Sequence, residues 1–292
     1  MHAYLEAVGF KNVRTREDIN RLISKTVLES DELHRFVDEK GRNMAEFTRE
    51  YGPDMGLTVC GEFDSRGEFH PDYFFPFMAA PEVSSEEEMN FERHADKESY
   101  AGACDDPRVG ATLIFYLINM GDLHGKCHNF QYPENAVSVC FSILSRDARV
   151  ILPAGGSRRR NKDYQQDVQE HKRLVNAARF GDEEAIESLT MEDIDTYSMI
   201  TQRLEKEDIL TIVETSFAPV GMECDQYSFV GLILDTKKVV NEDTHEEIYQ
   251  IKMEICDIVV DLCINADSLM GVPEKGRRIR GTGWLQGYVN FE

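Results

Sequence analysis

The densest group of metal-binding side chains in the sequence is His124-Gly-Lys-Cys127-His128, with Asp122 just ahead of it. A His and a Cys with two residues between them can grip one ion from a turn, because imidazole nitrogen and thiolate sulfur both suit zinc. A structural zinc site needs four donors, and no second pair of matching spacing occurs elsewhere in the chain. The haem-attachment pattern C-x-x-C-H fails at its first position, which is His124. His124, Cys127 and His128 are therefore a three-residue metal candidate set in what otherwise reads as an ordinary polar loop, and no cofactor is expected.

Anion binding is the second chemistry on offer. Residues 155–180 hold seven cations (Arg158, Arg159, Arg160, Lys162, Lys172, Arg173 and Arg179) against three anions, and Lys275, Arg277, Arg278 and Arg280 form another basic cluster. Trp284, with Tyr288 and Phe291 beyond it, offers flat faces on which a base can stack. Arg158, Arg159, Arg160, Lys275, Arg277, Arg278, Arg280 and Trp284 are the residues assigned to this face. The competing reading is that these arginines pair with the protein's own acids, of which there are 54.

Acid–base chemistry has a weaker footing. Glu62, Asp64, Glu68, His70 and Asp72 surround one tight turn, so a carboxylate and a histidine can meet across two strands. His94 with Asp96 is a similar pair. No nucleophile elbow, dinucleotide glycine pattern or HExxH helix accompanies them, and Gly155-Gly-Ser157 lacks the lysine of a phosphate loop. Charge exposed on a hairpin explains the same pattern, so no reaction class follows from it.

Charge narrows the partners. Lys plus Arg is 32 against 54 acids, a net charge of −22 at pH 7. The average field repels polyanions, which excludes a general phosphate-backbone binder and leaves room only for a local basic face. Acid is concentrated in residues 81–98 and 182–214, so the balance is uneven along the chain. Hydrophobic residues at 41% and aromatics at 10% support a packed core rather than a disordered acidic chain. The most apolar run, residues 113–118, is far short of the ~20 that a membrane helix needs. No cationic apolar leader opens the sequence, and the seven cysteines are scattered with no CxxC. These features predict small buried thiols in a reducing cytoplasm and no membrane partner.

The elements that must position these groups begin with a helix. Thr15 and Asp18 form a capping box ahead of Ile19, Leu22, Ile23 and Val27, which share one face. Asp31 is expected to cap a second short helix carrying Leu33, Phe36 and Val37. From about residue 45 the period changes to two. Residues 57–63 and 69–77 read as a hairpin about Asp64-Ser-Arg-Gly67, with Pro71 and Pro76 placing the return strand at an edge or a bend. Residues 81–98 read as a solvated loop or exposed helix, 109–120 as a buried strand and 121–133 as a turn-rich stretch. Residues 137–144 and 150–152 read as a second hairpin. Pro153-Ala-Gly-Gly156 is the best linker signal. Helical spacing then runs for about 45 residues, carried by Tyr164, Val168, His171 and Leu174 and later by Ile194, Tyr197, Ile200 and Leu204. Strands are expected at 209–217, 226–234, 248–255, 258–264 and 279–291, and Gly281 and Gly283 in the last suit a tight barrel corner.

This order predicts an α+β fold in three parts: N-terminal helices with a mainly antiparallel sheet (1–153), a helical connector (154–206), and a small five-stranded, OB-like β-barrel or rolled sheet (207–292). The function that fits is unassigned in detail. A non-catalytic binding or regulatory protein, with an anion or nucleic-acid face on the barrel, is the leading expectation. An enzyme using the histidines and carboxylates of the N-terminal part is one alternative, and a protein-interaction scaffold or homo-oligomer is another.

Four stretches carry a family likeness: Met1-His-Ala-Tyr-Leu-Glu-Ala-Val-Gly-Phe10, Gly56-Leu-Thr-Val-Cys-Gly-Glu-Phe63, Ile194-Asp-Thr-Tyr-Ser-Met-Ile200 and Gly276-Arg-Arg-Ile-Arg-Gly-Thr-Gly-Trp-Leu-Gln-Gly287. Together they resemble an uncharacterised family of gut clostridial proteins of about this length, domain-of-unknown-function family 3881. The resemblance covers nearly the whole chain and implies a bacterial cytoplasmic protein. It brings no activity, no cofactor and no catalytic residues.

Overall fold

The first expected helix forms as its sequence directs. In a computed structural model, which describes residues 3–38, 40–94, 99–126, 136–151, 215–221 and 225–291 with single positions 177, 182, 187, 188 and 191, α1 spans Arg16–Leu28. Thr15 Oγ1 accepts from Asp18 N at 3.1 Å and Asp18 Oδ2 accepts from Thr15 N at 3.2 Å, a complete capping box. The helix buries Leu22 and Thr26, and the Thr26 hydroxyl bonds to the Tyr51 hydroxyl at 2.8 Å. A short 3-10 helix, Leu5–Val8, precedes it and is held by the buried Asn241 amide, which donates to Val8 O.

The second expected helix is instead strand β1 (Glu32–Val37). A six-residue segment gains little from helix formation alone, while pairing with the following strand satisfies its backbone and half-buries His34 and Phe36 on one side. β1 continues into β2 (Asn43–Gly52), β3 (Met55–Phe63) and β4 (Phe69–Met78), an antiparallel sheet of order β1-β2-β3-β4. The β3–β4 turn is the expected one, with Asp64 Oδ1 accepting from Arg66 N and Glu68 N and Gly67 at positive φ. β4 lies at the sheet edge, where Pro71 and Pro76 cost no ladder bonds.

The second sheet has ten strands: β5 (Met89–Arg93), β6 (Tyr100–Asp106), β7 (Ala111–Leu117), β8 (Ala136–Ile151), β9 (Ser216–Pro219), β10 (Gln226–Val240), β11 (Glu247–Ile255), β12 (Ile258–Asn265), β13 (Leu269–Met270) and β14 (Arg278–Phe291). Neighbours run β13-β8-β12-β11-β10-β14-β7-β6-β5, β9 pairs β10, and β14 pairs β8 as well. The hairpin expected within 137–152 is one continuous strand, β8. Residues 145–149 contain no glycine or proline to turn the chain, and their pairing with β14 resumes past an irregularity at Arg146. The tight turn expected at Cys256-Asp257 is present, both residues taking positive φ between the paired Ile255 and Ile258. The region expected to be a loop or helix holds strand β5.

β8 precedes the expected 153/154 boundary, yet it pairs with β12 and β14, which follow the 206/207 boundary. Strands dominate, so the fold is closer to mostly-β than to α+β. The expected helical connector lies outside the described residues apart from isolated positions. No helix among the described residues is long and apolar enough to cross a membrane.

One hydrophobic core joins the sheets, with Leu57, Val59 and Phe75 from the first and Phe115, Phe141 and Leu285 from the second. Polar side chains tie them together. Gln286 Nε2 donates to Pro76 O, Met78 N donates to Gln286 Oε1, and Ser142 Oγ donates to Met78 O. A short helix, α2 (Met120–Lys126), follows β7 and packs against β1.

One buried acid strains this arrangement. Asp261 on β12 is 5% exposed, and its Oδ2 has no hydrogen-bond partner among the described residues. Its register neighbour Lys252 reaches Glu82 instead. Burial therefore pushes the Asp261 carboxyl up to about 6. An acid with a raised folded-state value stabilises fully below its unfolded value near 4 and loses that contribution as pH rises through 6. Asp261→Asn is expected to raise stability at pH 7.5 by about 1–3 kcal/mol and to change it little at pH 4. Urea denaturation at the two pH values measures this, and equal effects at both would show that the charge is not the cause.

Candidate functional site

Alternation along β2 builds the site. Glu46, Thr48 and Glu50 point to one face of the strand, and their burial grades from buried through half-buried to exposed. Cross-strand register extends each into a row. His34 on β1 faces Glu46, Glu46 faces Cys60 on β3, and Cys60 faces Tyr73 on β4. In the next row Glu32 faces Thr48, whose hydroxyl bonds to Thr58 at 3.1 Å. From these rows Glu32, His34, Glu46, Thr48, Glu50 and Thr58 form the floor of a cleft of about 610 Å³.

The roof is the β7–α2 connection with Ile118, Asn119, Gly121 and Asp122, together with Tyr288 of β14 and Glu242 from the β10–β11 loop. Asn119 fixes this connection to β14, donating to Val289 O and accepting from Val289 N. Asp122 Oδ2 accepts from Asn119 Nδ2 at 3.0 Å and from the Tyr288 hydroxyl at 3.3 Å. Gly121 is required by space, since a Cβ there would lie 2.5 Å from the His34 ring. That close approach lets Gly121 N donate to Glu46 Oε2 at 2.8 Å.

Six carboxyl groups line the cleft (Asp31, Glu32, Glu46, Glu50, Asp122 and Glu242), and His34 is the only basic side chain among the lining residues. Glu46 is 2% exposed. Burial, reinforced by the charges of Asp122 and Glu32 and opposed by the Gly121 N–H, pushes its carboxyl up to about 8. Glu46 is accordingly mostly neutral at pH 7. Burial and the neighbouring Asp54, Asp31 and Glu32 also raise Glu50. Burial and Glu46 hold the Cys60 thiol well above its usual range, so Cys60 is an inert neutral thiol rather than a nucleophile.

Residues 5–287 match the family model described as a domain of unknown function with an E. rectale gene description, DUF3881. The chain belongs to the DUF3881 family. No curated protein and no solved structure matches it. The DUF3881 match takes in both sheets and every lining residue of the cleft except Tyr288, which lies one position past its end.

The residues that stood out in the sequence of this DUF3881 member lie elsewhere. His124 is on α2, its ring stacked on Phe36 at 3.9 Å and edge-on to Tyr100. Cys127, His128, Arg158, Arg159, Arg160 and Asp96 lie outside the described residues. Lys275 is exposed in a turn, Arg277 pairs with Glu274 at 2.8 Å and Arg278 is buried. Arg280 is exposed and stands opposite Arg149 of β8. Trp284 is 6% exposed, its indole N–H donating to Asp225 and its ring packed against Tyr4 and Tyr116. The expected stacking face is thus covered, because the indole of an interior strand of the second sheet is packed into the core.

The expected meeting across the first hairpin does occur. His70 Nε2 lies 3.3 Å from Asp64 Oδ2, and Glu68 completes a group at the hairpin tip. Asp64 and His70 do not line the cleft. His94 bonds to Ser99 and stacks over Tyr116, also apart from it. The cleft carboxylates went unrecognised because alternation along a strand does not tell a solvated polar face from one that a second sheet covers. The useful signal was a strand with polar residues at alternate positions and Ala45, Phe47 and Tyr51 on the other face.

Proposed function

We propose that this protein is a non-catalytic binding protein whose inter-sheet cleft takes a small cationic ligand. The supporting observation is the cleft itself, with six carboxyl groups lining about 610 Å³ and one of them, Glu46, fully buried. Acids of one sign in a low-dielectric concavity focus a negative potential and raise the local concentration of cations. The net charge of −22 adds to that field at long range. Free thiols at Cys60, Cys104, Cys140, Cys256 and Cys263 fit a reducing, cytoplasmic setting. The circuit β8-β12-β11-β10-β14, which returns to β8, reads as a small five-stranded barrel carrying one wall of the cleft on β14.

Isothermal titration with ammonium and guanidinium compounds in 150 mM sodium chloride tests the reading. Saturable one-to-one binding is expected. The double variant Glu32→Gln, Glu50→Gln, which removes two acids at the mouth, should weaken it about tenfold, the size of ~1.4 kcal/mol. Absence of saturable binding by any such compound would overturn the reading.

A second reading has its own observation. Arg149 and Arg280 face each other in register on exposed positions of β8 and β14, and neither makes an ion pair among the described residues. Like charges placed directly opposite repel, which an anion between them would relieve. This pair is where an anion face on the barrel would be centred.

A further inference from the structure

The placement of the acids says which cation fits, granted that the cleft binds one. A single metal ion is a poor match. Among the described residues, the only three metal-ligating side chains whose donor atoms lie within 4.8 Å of one another are Asp64, Glu68 and His70, outside the cleft. The cleft acids are spread out instead. Glu46 and Glu50 are four residues apart on one strand, a span of about 13 Å at ~3.3 Å per residue. Glu46 and Asp122 stand at the deep end, and Asp31, Glu32 and Glu50 stand at the mouth. Between Glu46 and Glu50 lie the Thr48 hydroxyl, with Glu32 opposite it on β1, and the Thr58 hydroxyl, and Phe77, Ala79 and Ile118 make an apolar side.

Two acidic ends joined by an apolar and hydroxyl-lined passage match a chain of methylenes with ammonium groups at its ends. We infer that the ligand is an elongated polyamine, with one terminal ammonium at Glu46 and Asp122 and the other at Asp31, Glu32 and Glu50. The deep seat is poised for it. Glu46 Oε2 accepts from Gly121 N, whereas Oε1 has only the Cys60 thiol at 3.9 Å, so that oxygen keeps capacity for a stronger donor. An arriving ammonium favours the charged carboxylate, so the Glu46 proton leaves to solvent as the ligand binds. The groups facing Glu46 are Glu32 and His34 of β1, Cys60 of β3, Tyr73 of β4, Tyr116 of β7, Asp122 of α2 and Tyr288 of β14, with Glu50 farther along its own strand. None of these is a fixed cation that would hold Glu46 ionised.

Titration calorimetry of the full chain in 150 mM sodium chloride tests this with spermine, spermidine, 1,4-diaminobutane, n-butylamine and magnesium chloride at pH 6, 7 and 8. Spermine or spermidine should bind one-to-one and at least tenfold more tightly than 1,4-diaminobutane, which is too short to reach both ends. Magnesium should not bind. The polyamine affinity should rise by up to tenfold per pH unit, with proton release seen as a buffer-dependent heat, and both effects should vanish in Glu46→Gln. Glu50 is exposed, so Glu50→Gln tests the outer seat without disturbing the core, and it should reduce the preference for the longer amines. If 1,4-diaminobutane or n-butylamine binds as tightly as spermine, or if Glu46→Gln keeps the parental pH profile, the polyamine assignment is wrong while the cation-binding cleft stands. If no amine gives saturable binding at any pH, the cleft reading itself fails.

Discussion

Between pH 5 and pH 9 the protein is expected to lose about 4 kcal/mol of stability that the Glu46→Gln variant keeps. Glu46 is buried among other acids, and its carboxyl is raised to about 8 in the folded chain. In the unfolded chain it returns to about 4.3. Between those values the folded state holds a proton that the unfolded state has lost, so stability falls by about 1.4 kcal/mol per pH unit. The contribution is complete below the unfolded value and gone above pH 8. Glutamine keeps the shape and the acceptor for Gly121 N but does not titrate. Guanidinium denaturation of both proteins at pH 5, 7 and 9 measures the difference. Curves that fall in parallel would mean that Glu46 is ionised, or solvated, in the folded protein. A saturating polyamine should flatten the parental curve, which links this measurement to the proposed ligand.

Arg108→Met is expected to cost about 3–5 kcal/mol, because it leaves Asp106 charged and buried. Asp106 is 2% exposed. Burial alone would raise its carboxyl, but hydrogen bonds from Arg108 and Ser85 overcome this and hold it below the ordinary carboxylate value. Arg108 donates to both Asp106 oxygens, to Ser84 O at 2.8 Å and to Asp257 O at 3.1 Å. One guanidinium thus joins the end of β6, the segment before β5 and the β11–β12 turn. For a chain of this size the loss corresponds to a drop in Tm of roughly 10 °C. The double variant Arg108→Met, Asp106→Asn should recover more than half of it, since no buried charge is then stranded. A double variant no better than the single one would place the cost in the lost contacts to Ser84 and Asp257.

Local rules made much of the fold legible. The Thr15–Asp18 capping box, the Asp64–Gly67 turn and the two-residue turn at Cys256-Asp257 depend on a few adjacent residues, and each forms as expected. Strands 226–234, 248–255, 258–264 and 279–291 lie within β10, β11, β12 and β14. The failures share one cause. β1 and β8 take their strand character from partners outside the segment itself, the following strand β2 for β1 and the distant β12 and β14 for β8. The basic cluster at 275–280 looked coherent as a string, but adjacent residues on a strand meet different surroundings. Arg277 pairs with Glu274, Arg278 is buried and Arg280 is exposed.

The sequence by itself determined the acidity of the protein, its lack of a strong catalytic motif, its family and most of its strand positions. Tertiary structure alone decided where the acids act. Glu32, Glu46, Asp122 and Glu242 are scattered over about 210 positions, and nothing in the sequence marks them as one group. Stacking one sheet on the other, with Gly121 pressed against His34, removes water from Glu46 and turns the row into a cleft. Desolvation is a property of the packed assembly. The raised carboxyl, the field and the proposed ligand follow from that packing rather than from any residue pattern.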